Sequence, residues 1–185
     1  VITAMVSIPV GQTALFSFQG DLVAVISLLT IPTATFFLAG WSSTSPYAAV
    51  GSVRALTQLF AYEVPLFLSV IGAAVLAGSL SIQEIASFYA ARPSLILVNL
   101  PGLALALLAL QGKLERVPFD IPHAETEVVG GPFTEYSGGL LALFLLATDM
   151  EMVVGAGLIS AVFLGGSWGL LGAAGFVLFV AKTLL

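Results

Sequence analysis

The stretch ALTQLFAYEVPLFLSVIGAAVLA, residues 55–77, decides the fold. About twenty apolar residues cross the roughly 30 Å hydrocarbon core of a bilayer as a helix, and this run is long enough to do so. It shows no alternation of period two, so a barrel strand is ruled against. Windows of the same kind lie outward from it at 22–41, 95–110 and 140–164; a fifth covers 170–185, and 1–10 reads as the tail of another helix. The composition agrees. The chain is 59% hydrophobic and 8% charged, with a mean hydropathy of +1.11, whereas a soluble domain carries about a quarter charged residues. The expectation is an all-α, polytopic transmembrane protein of about five spans plus a partial one, with helices kinked at Pro32 and Pro65. Residues 1–185 read as a single helical domain. The first residues have no basic n-region or small-residue cleavage site, so they read as a helix end rather than a signal peptide.

The stretch also carries charge where charge is costly. Taking the span to begin near Arg54, Glu63 lies roughly 13 Å further along at about 1.5 Å per residue, near mid-membrane. A carboxylate at that depth should face the bundle interior, pair with a cation, or hold and hand on a proton. Arg54, Gln58 and Tyr62 follow at four-residue spacing and form one polar stripe, which could equally serve as interhelical glue. Pro65 removes the donor for the Ala61 carbonyl, one residue from Tyr62 and two from Glu63.

The second concentration of charge is the loop at 112–138. It holds Glu115, Asp120, Glu125, Glu127 and Glu135, five of the chain's ten acids. Pro118 and Pro122 break any helix through PFDIP, and Gly130-Gly131-Pro132 stops whatever precedes it. Phe119, Val128, Val129, Phe133 and Tyr136 are too apolar for a purely solvated connection, so the loop is expected to pack on something. Beyond it, Asp149 and Glu151 lie roughly 16 and 20 Å into the next helix. Two positions apart, they face different directions, so at least one meets a neighbouring helix or cavity. Asp149 is expected to be buried, while for Glu151 burial and solvation at the far surface stand equally open. Counting spans alternately places Arg54, Lys113, Arg116 and Lys182 on one side and Arg92 on the other, which puts the acidic loop in the cytoplasm and the connections at 78–94 and 165–168 outside.

The chain has no cysteine and one histidine. Cysteine-ligated clusters and thiol chemistry therefore lie outside its reach, and His123 alone builds no metal site. A net charge of −5 without clustered Lys and Arg argues against nucleic acid.

The runs GWSSTSPYAAVGSVRALTQLFAYE, residues 40–63, and RVPFDIPHAETEVVGGPFTEYSG, residues 116–138, resemble the subunit 1 (H-subunit) family of NADH–quinone oxidoreductase, respiratory complex I. They are still more similar to the equivalent membrane subunit of archaeal energy-converting [NiFe] hydrogenases and related sulfur-reducing complexes. The resemblance extends over essentially the whole chain. It implies a non-catalytic membrane-arm subunit of a multi-subunit redox complex in a prokaryotic, archaeal, cell membrane. The peripheral electron-transfer arm would dock at the cytoplasmic loop, and a line of carboxylates would lead toward antiporter-like subunits, moving H⁺ or Na⁺. Carried over by position, the motifs supply Arg116, Asp120, Glu125, Glu127, Glu135 and Tyr136 from the loop, and Arg54, Gln58, Tyr62 and Glu63 from the helix before it.

The resemblance places iron–sulfur clusters and a [NiFe] centre in partner subunits, with small membrane subunits and lipid around this chain. Complex I members read Glu-Thr-Asn-Arg where this chain has Lys113-Leu114-Glu115-Arg116, carry a glutamate where His123 stands, and a Glu-Tyr pair in place of Thr148 and Asp149. Those departures point to the hydrogenase branch; the alternative is a quinone-binding complex I subunit. A stand-alone cation transporter or a passive anchor are the readings from other classes. The expected coupling residues are thus Glu63, Asp120, Glu125, Glu127, Glu135, Asp149 and Glu151, with Arg54, Gln58, Tyr62, Arg116 and Tyr136 as polar partners.

Overall fold

The computed structural model describes residues 1–9, 17–120 and 130–166. Among these the chain is helical throughout its regular structure: α1 (Ile2–Ser7), α2 (Asp21–Trp41), α3 (Pro46–Ala77), α4 (Ile82–Ala91), α5 (Ser94–Val98), α6 (Leu100–Lys113), a 3₁₀ turn (Gly131–Phe133) and α7 (Gly138–Phe163). Three of them, α2, α3 and α7, are long and apolar enough to cross a membrane. They answer to the windows at 22–41, 55–77 and 140–164. The window at 170–185 lies outside the described residues.

α3 starts earlier than its hydrophobicity suggests. Pro46 occupies the first helical position, where its missing N–H costs nothing and its fixed φ favours the turn. The result is a helix of 32 residues, about 48 Å long, against which α2, α4, α6, α7 and the 3₁₀ turn all pack. Its inward stripe runs Ala55, Leu59, Glu63, Leu66, Val70 and Ala73, all buried. The opposite face, including Val53, Phe60, Val64, Leu68 and Val75, is exposed and just as apolar. A helix that is apolar all round suits a lipid or protein surround rather than water.

The window at 95–110 is not one span. It divides into α5 and α6 at Asn99, because Pro101 cannot donate to the carbonyl one turn back. Asn99 gains from the break. Its amide donates to the Tyr89 hydroxyl at 3.1 Å, and that hydroxyl donates to the Ala73 carbonyl at 3.2 Å. At the same end of the bundle, the buried Asp21 accepts the Ile82 N–H at 2.7 Å, so the first residue of α2 caps α4.

α6 has 14 residues, about 21 Å of helix, too short for the whole core. It accompanies α3 from the level of Ala73, where Asn99 sits, to Tyr62, whose ring faces Gly112 so closely that a Cβ there would stand 2.5 Å from it. Beyond that point the 114–120 segment and the 3₁₀ turn take the place of α6 against α3. Gln58 donates to the carbonyls of Gly112, at 3.1 Å, and Phe119, at 2.5 Å. Gly51 lies so close to Gly131 that a Cβ would come within 2.7 Å of its carbonyl carbon. Non-helical backbone at membrane depth survives only where protein or a water-filled cavity receives its polar groups. Gln58 and Gln111 supply donors here, the latter to Val117 O at 2.8 Å.

Candidate functional site

α6 ends in the interior, and its last residue carries a charge. Lys113 is 2% exposed, and its ammonium donates to Glu63 Oε1 at 2.6 Å, the Leu29 carbonyl at 2.9 Å and Thr33 Oγ1 at 3.4 Å. Glu151 Oε1 stands 3.5 Å from the same nitrogen. Four helices meet at this point: α2 gives Leu29 and Thr33, α3 gives Glu63, α6 gives Lys113 and α7 gives Glu151. Glu63 and Glu151 are 2% and 3% exposed. Burying ions at this density is tolerable only with direct pairing, which Lys113 supplies. The position of Lys113 at a helix C-terminus adds to its favour through the helix dipole. Pro32 and Pro65 each take a backbone donor out of α2 and α3 beside the residues that receive it.

One ammonium faces two carboxylates, and the fit is incomplete. Among the described residues Glu63 Oε2 and Glu151 Oε1 have no hydrogen-bond partner. A buried carboxylate oxygen without a donor is a place for a proton or a water.

The sequence expectation for one of the two acids of α7 is overturned. Glu151, for which burial and solvation stood equally open, is in the core; Asp149, expected in the core, is exposed and paired with Arg116 at 2.5 Å, their side chains 60% and 48% accessible. Depth along the helix is the same, but a cleft of about 600 Å³ opens beside Asp149, lined by Leu114, Arg116, Phe133, Leu145 and Thr148. Lys113 is the residue that sequence reasoning missed. It stands at the end of an apolar run beside a charged loop, which reads as a surface anchor. Its burial also removes it from the charge count that placed the loop in the cytoplasm, and Lys182 lies outside the described residues, leaving Arg54 and Arg116 against Arg92.

The remaining loop residues serve other contacts. Tyr136 donates its hydroxyl to the Ala39 carbonyl at 3.0 Å near the end of α2. Phe133 packs on Phe36 and Phe144, at 5.6 and 4.9 Å between ring centroids, and so ties α2 to α7. The exposed Glu135 accepts the Thr44 amide at 3.3 Å and the Thr44 hydroxyl at 3.2 Å. A hydrogen bond from Ser43, with help from Thr44, holds its carboxyl below the usual range. Gln58 and Tyr62 work as loop receivers, Tyr62 stacking edge-on to Phe119 at 5.2 Å. Asp120 is exposed, and Arg54 is half-buried. Glu125, Glu127 and His123 lie outside the described residues. The predicted line of carboxylates is therefore joined in part: Glu63 and Glu151 come together through Lys113, while Asp149, Glu135 and Asp120 stand outside that buried cluster.

A helical membrane bundle with a half-depth helix, a charged cluster where four helices meet and a polar cleft at its edge defines a protein class built around intramembrane ionisable groups. The chain belongs to the NADH dehydrogenase family, whose pattern matches residues 1–185. It is 42% identical over 146 residues to the H subunit of NADH-quinone oxidoreductase from Bacillus thuringiensis subsp. konkukian, covering 78% of this chain and 42% of that protein. The same identity and coverage hold for the H subunit from Bacillus cereus strain Q1. With the one from Carboxydothermus hydrogenoformans it shares 32% over 142 residues, 77% of this chain and 40% of that protein. The chain thus spans about two fifths of the length of these relatives. The family expected from the two motifs is the family found. These relatives are bacterial, so they lend nothing to an archaeal origin, and none bears the name of a hydrogenase component.

Proposed function

We propose that this chain is a membrane-arm subunit that couples a redox reaction in partner subunits to ion movement, with Glu63, Lys113 and Glu151 as the coupling centre. The observation that carries the reading is the buried ammonium between two carboxylates, where intramembrane ionisable groups are functional by default. Such a cluster has two ways to arrange its charges. Lys113 can lean to Glu63 or toward Glu151, and a proton on the vacated acid balances each arrangement. A redox event that moves the 114–120 segment would shift Lys113, its neighbour in sequence. Iron–sulfur clusters and the electron acceptor belong to partner subunits, a [NiFe] centre being the acceptor site favoured by the Lys-Leu-Glu-Arg and His123 departures. The peripheral arm docks on the loop side, and small and antiporter-like membrane subunits cover the apolar outer faces.

The test is Glu63→Gln and Glu151→Gln in the purified complex, reconstituted in vesicles. Electron transfer should persist while ion uptake per electron falls at least several-fold. Full coupled uptake in both variants overturns the reading.

A second reading has an observation of its own. The cleft beside Arg116 and Asp149, at about 600 Å³, has the size of a small-molecule site, and the relatives are named as quinone oxidoreductases. Inhibition by quinone-site ligands that Thr148→Trp abolishes would place the acceptor there.

A further inference from the structure

The ammonium of Lys113 has the surroundings of a bound alkali cation. A backbone carbonyl, a hydroxyl and two carboxylates converge on it from α2, α3 and α7: Leu29 O at 2.9 Å, Thr33 Oγ1 at 3.4 Å, Glu63 Oε1 at 2.6 Å and Glu151 Oε1 at 3.5 Å. All-oxygen sets of this kind, with carboxylate, carbonyl and hydroxyl, are what hard cations take. In membrane carriers the coupling Na⁺ or H⁺ sits among carbonyl and side-chain oxygens where helices are interrupted, and here Pro32 and Pro65 each remove a backbone donor from α2 and α3 beside the seat. Here the seat is filled by a cation on a tether, held by α6.

We propose that Lys113 fixes the ion identity of this site: its ammonium occupies the cation seat, so the site exchanges a proton and excludes Na⁺. This deepens the coupling role proposed above and rests on it only for its consequence, since the identity of the ion can be read without turnover. The charge count gives the proton its place. Of the charged groups facing the seat, α6 contributes one positive and α3 and α7 one negative each; α2 contributes neutral oxygens. One negative charge remains over. A Na⁺ cannot neutralise it without evicting an ammonium already bonded to three oxygens, whereas a proton needs only a lone pair. Glu151, at the longer distance and with Oε1 lacking a hydrogen-bond partner among the described residues, offers one. The step is a plain protonation: Glu151 carboxylate takes H⁺ to become the acid, and gives it up when Lys113 leans across from Glu63, whose vacated carboxylate then takes a proton.

The seat without its tether should be a Na⁺ site. Lys113→Ala removes the ammonium and most of its stem, leaving the four oxygens and room for an ion with water. The experiment is infrared difference spectroscopy on the purified complex, with a pH step at fixed Na⁺ and a Na⁺ step at fixed pH, Na⁺ being exchanged for N-methylglucamine. In the wild-type complex a carboxylic C=O band should appear on the acid step and be lost in Glu151→Gln, while the Na⁺ step should produce no carboxylate band that Glu63→Gln or Glu151→Gln removes. Lys113→Ala should gain such a Na⁺-dependent band, and its melting temperature should rise with Na⁺ while that of the wild type does not. A Na⁺-dependent carboxylate band in the wild type that Glu63→Gln abolishes overturns the proposal, as does an assembled Lys113→Ala complex indifferent to Na⁺. If Lys113→Ala does not assemble, the wild-type comparison decides alone. Failure of the coupling role alone would show as the expected spectra with full uptake per electron in Glu63→Gln; failure of the ion assignment shows in the spectra whatever the uptake.

Discussion

Lys113 is the most exacting residue in the chain, because its removal orphans two acids at once. Breaking a buried ion pair by deleting one partner costs about 3–5 kcal/mol, most of it the penalty for the charge left behind. Lys113→Met should therefore lower the stability of the subunit by that amount, read as a shift in the unfolding of the purified complex. Lys113→Met combined with Glu63→Gln should recover a large part of the loss, and a double-mutant cycle measures how much. Additive losses would mean that the 2.6 Å contact contributes no coupling. Glu135 makes a contrasting case at the surface. Its carboxyl titrates below the usual range because Ser43 and Thr44 bond its charged form. A depressed value in the folded state means that the contact is intact above the ordinary carboxylate range, about 4.3, and is lost as pH falls through the lower folded value. The protection of the Thr44 amide, its hydrogen-exchange rate relative to the intrinsic rate at each pH, should hold across that ordinary range and fall only in stronger acid. In Glu135→Gln the pH dependence of that protection should vanish.

At the scale of elements, hydropathy made the three long helices legible because a span must be apolar whatever its neighbours are. It could not show that 95–110 is two helices, since the residues either side of Asn99 are equally apolar and only Pro101 marks the division. Nor could it show that α6 stops in the interior. That depends on Gln58 and Tyr62, far back toward the N-terminus, which receive the emerging backbone. These two were visible as a polar stripe, but their partners were not, because the Gly112 and Phe119 carbonyls have no signature in sequence. Gln58→Ala takes that donor from both carbonyls, Gly112 O keeping the Glu115 N–H at 3.4 Å, and an acceptor that loses its donor away from water costs about 1–3 kcal/mol. The variant should lose stability in that range and expose the 114–120 segment to protease; an unchanged digestion pattern would count against Gln58 as the anchor. Gly51→Val presses a side chain onto Gly131, and overpacking of this kind costs about 1–3 kcal/mol. Its signature should be lower assembly with the α6 end of the bundle intact.

For the whole molecule the misjudged quantity was depth. Sequence reasoning measured it along each helix from the presumed surface, which treats the bundle as a slab of uniform thickness. The half-length of α6 breaks that assumption: Asp149 opens on the cleft, while Glu151 is buried. Both positions lie in the middle of α7, within one turn of each other, so a reagent that sees only axial depth cannot separate them. The chain offers a clean way to make the separation, as it contains no cysteine of its own. In membranes carrying the proposed complex, stripped of the peripheral arm that the coupling reading docks on the loop side, Asp149→Cys should react with a charged, membrane-impermeant thiol reagent. Glu151→Cys should react at least tenfold more slowly, and Asp149→Cys should be protected again when the soluble subunits rebind. Labelling from only one face of oriented vesicles would also establish which side the cleft opens to, which two arginines against one cannot do. Equal reactivity at the two cysteines would mean that water reaches the Lys113 cluster freely, and a solvated ammonium would no longer bar Na⁺ from its seat.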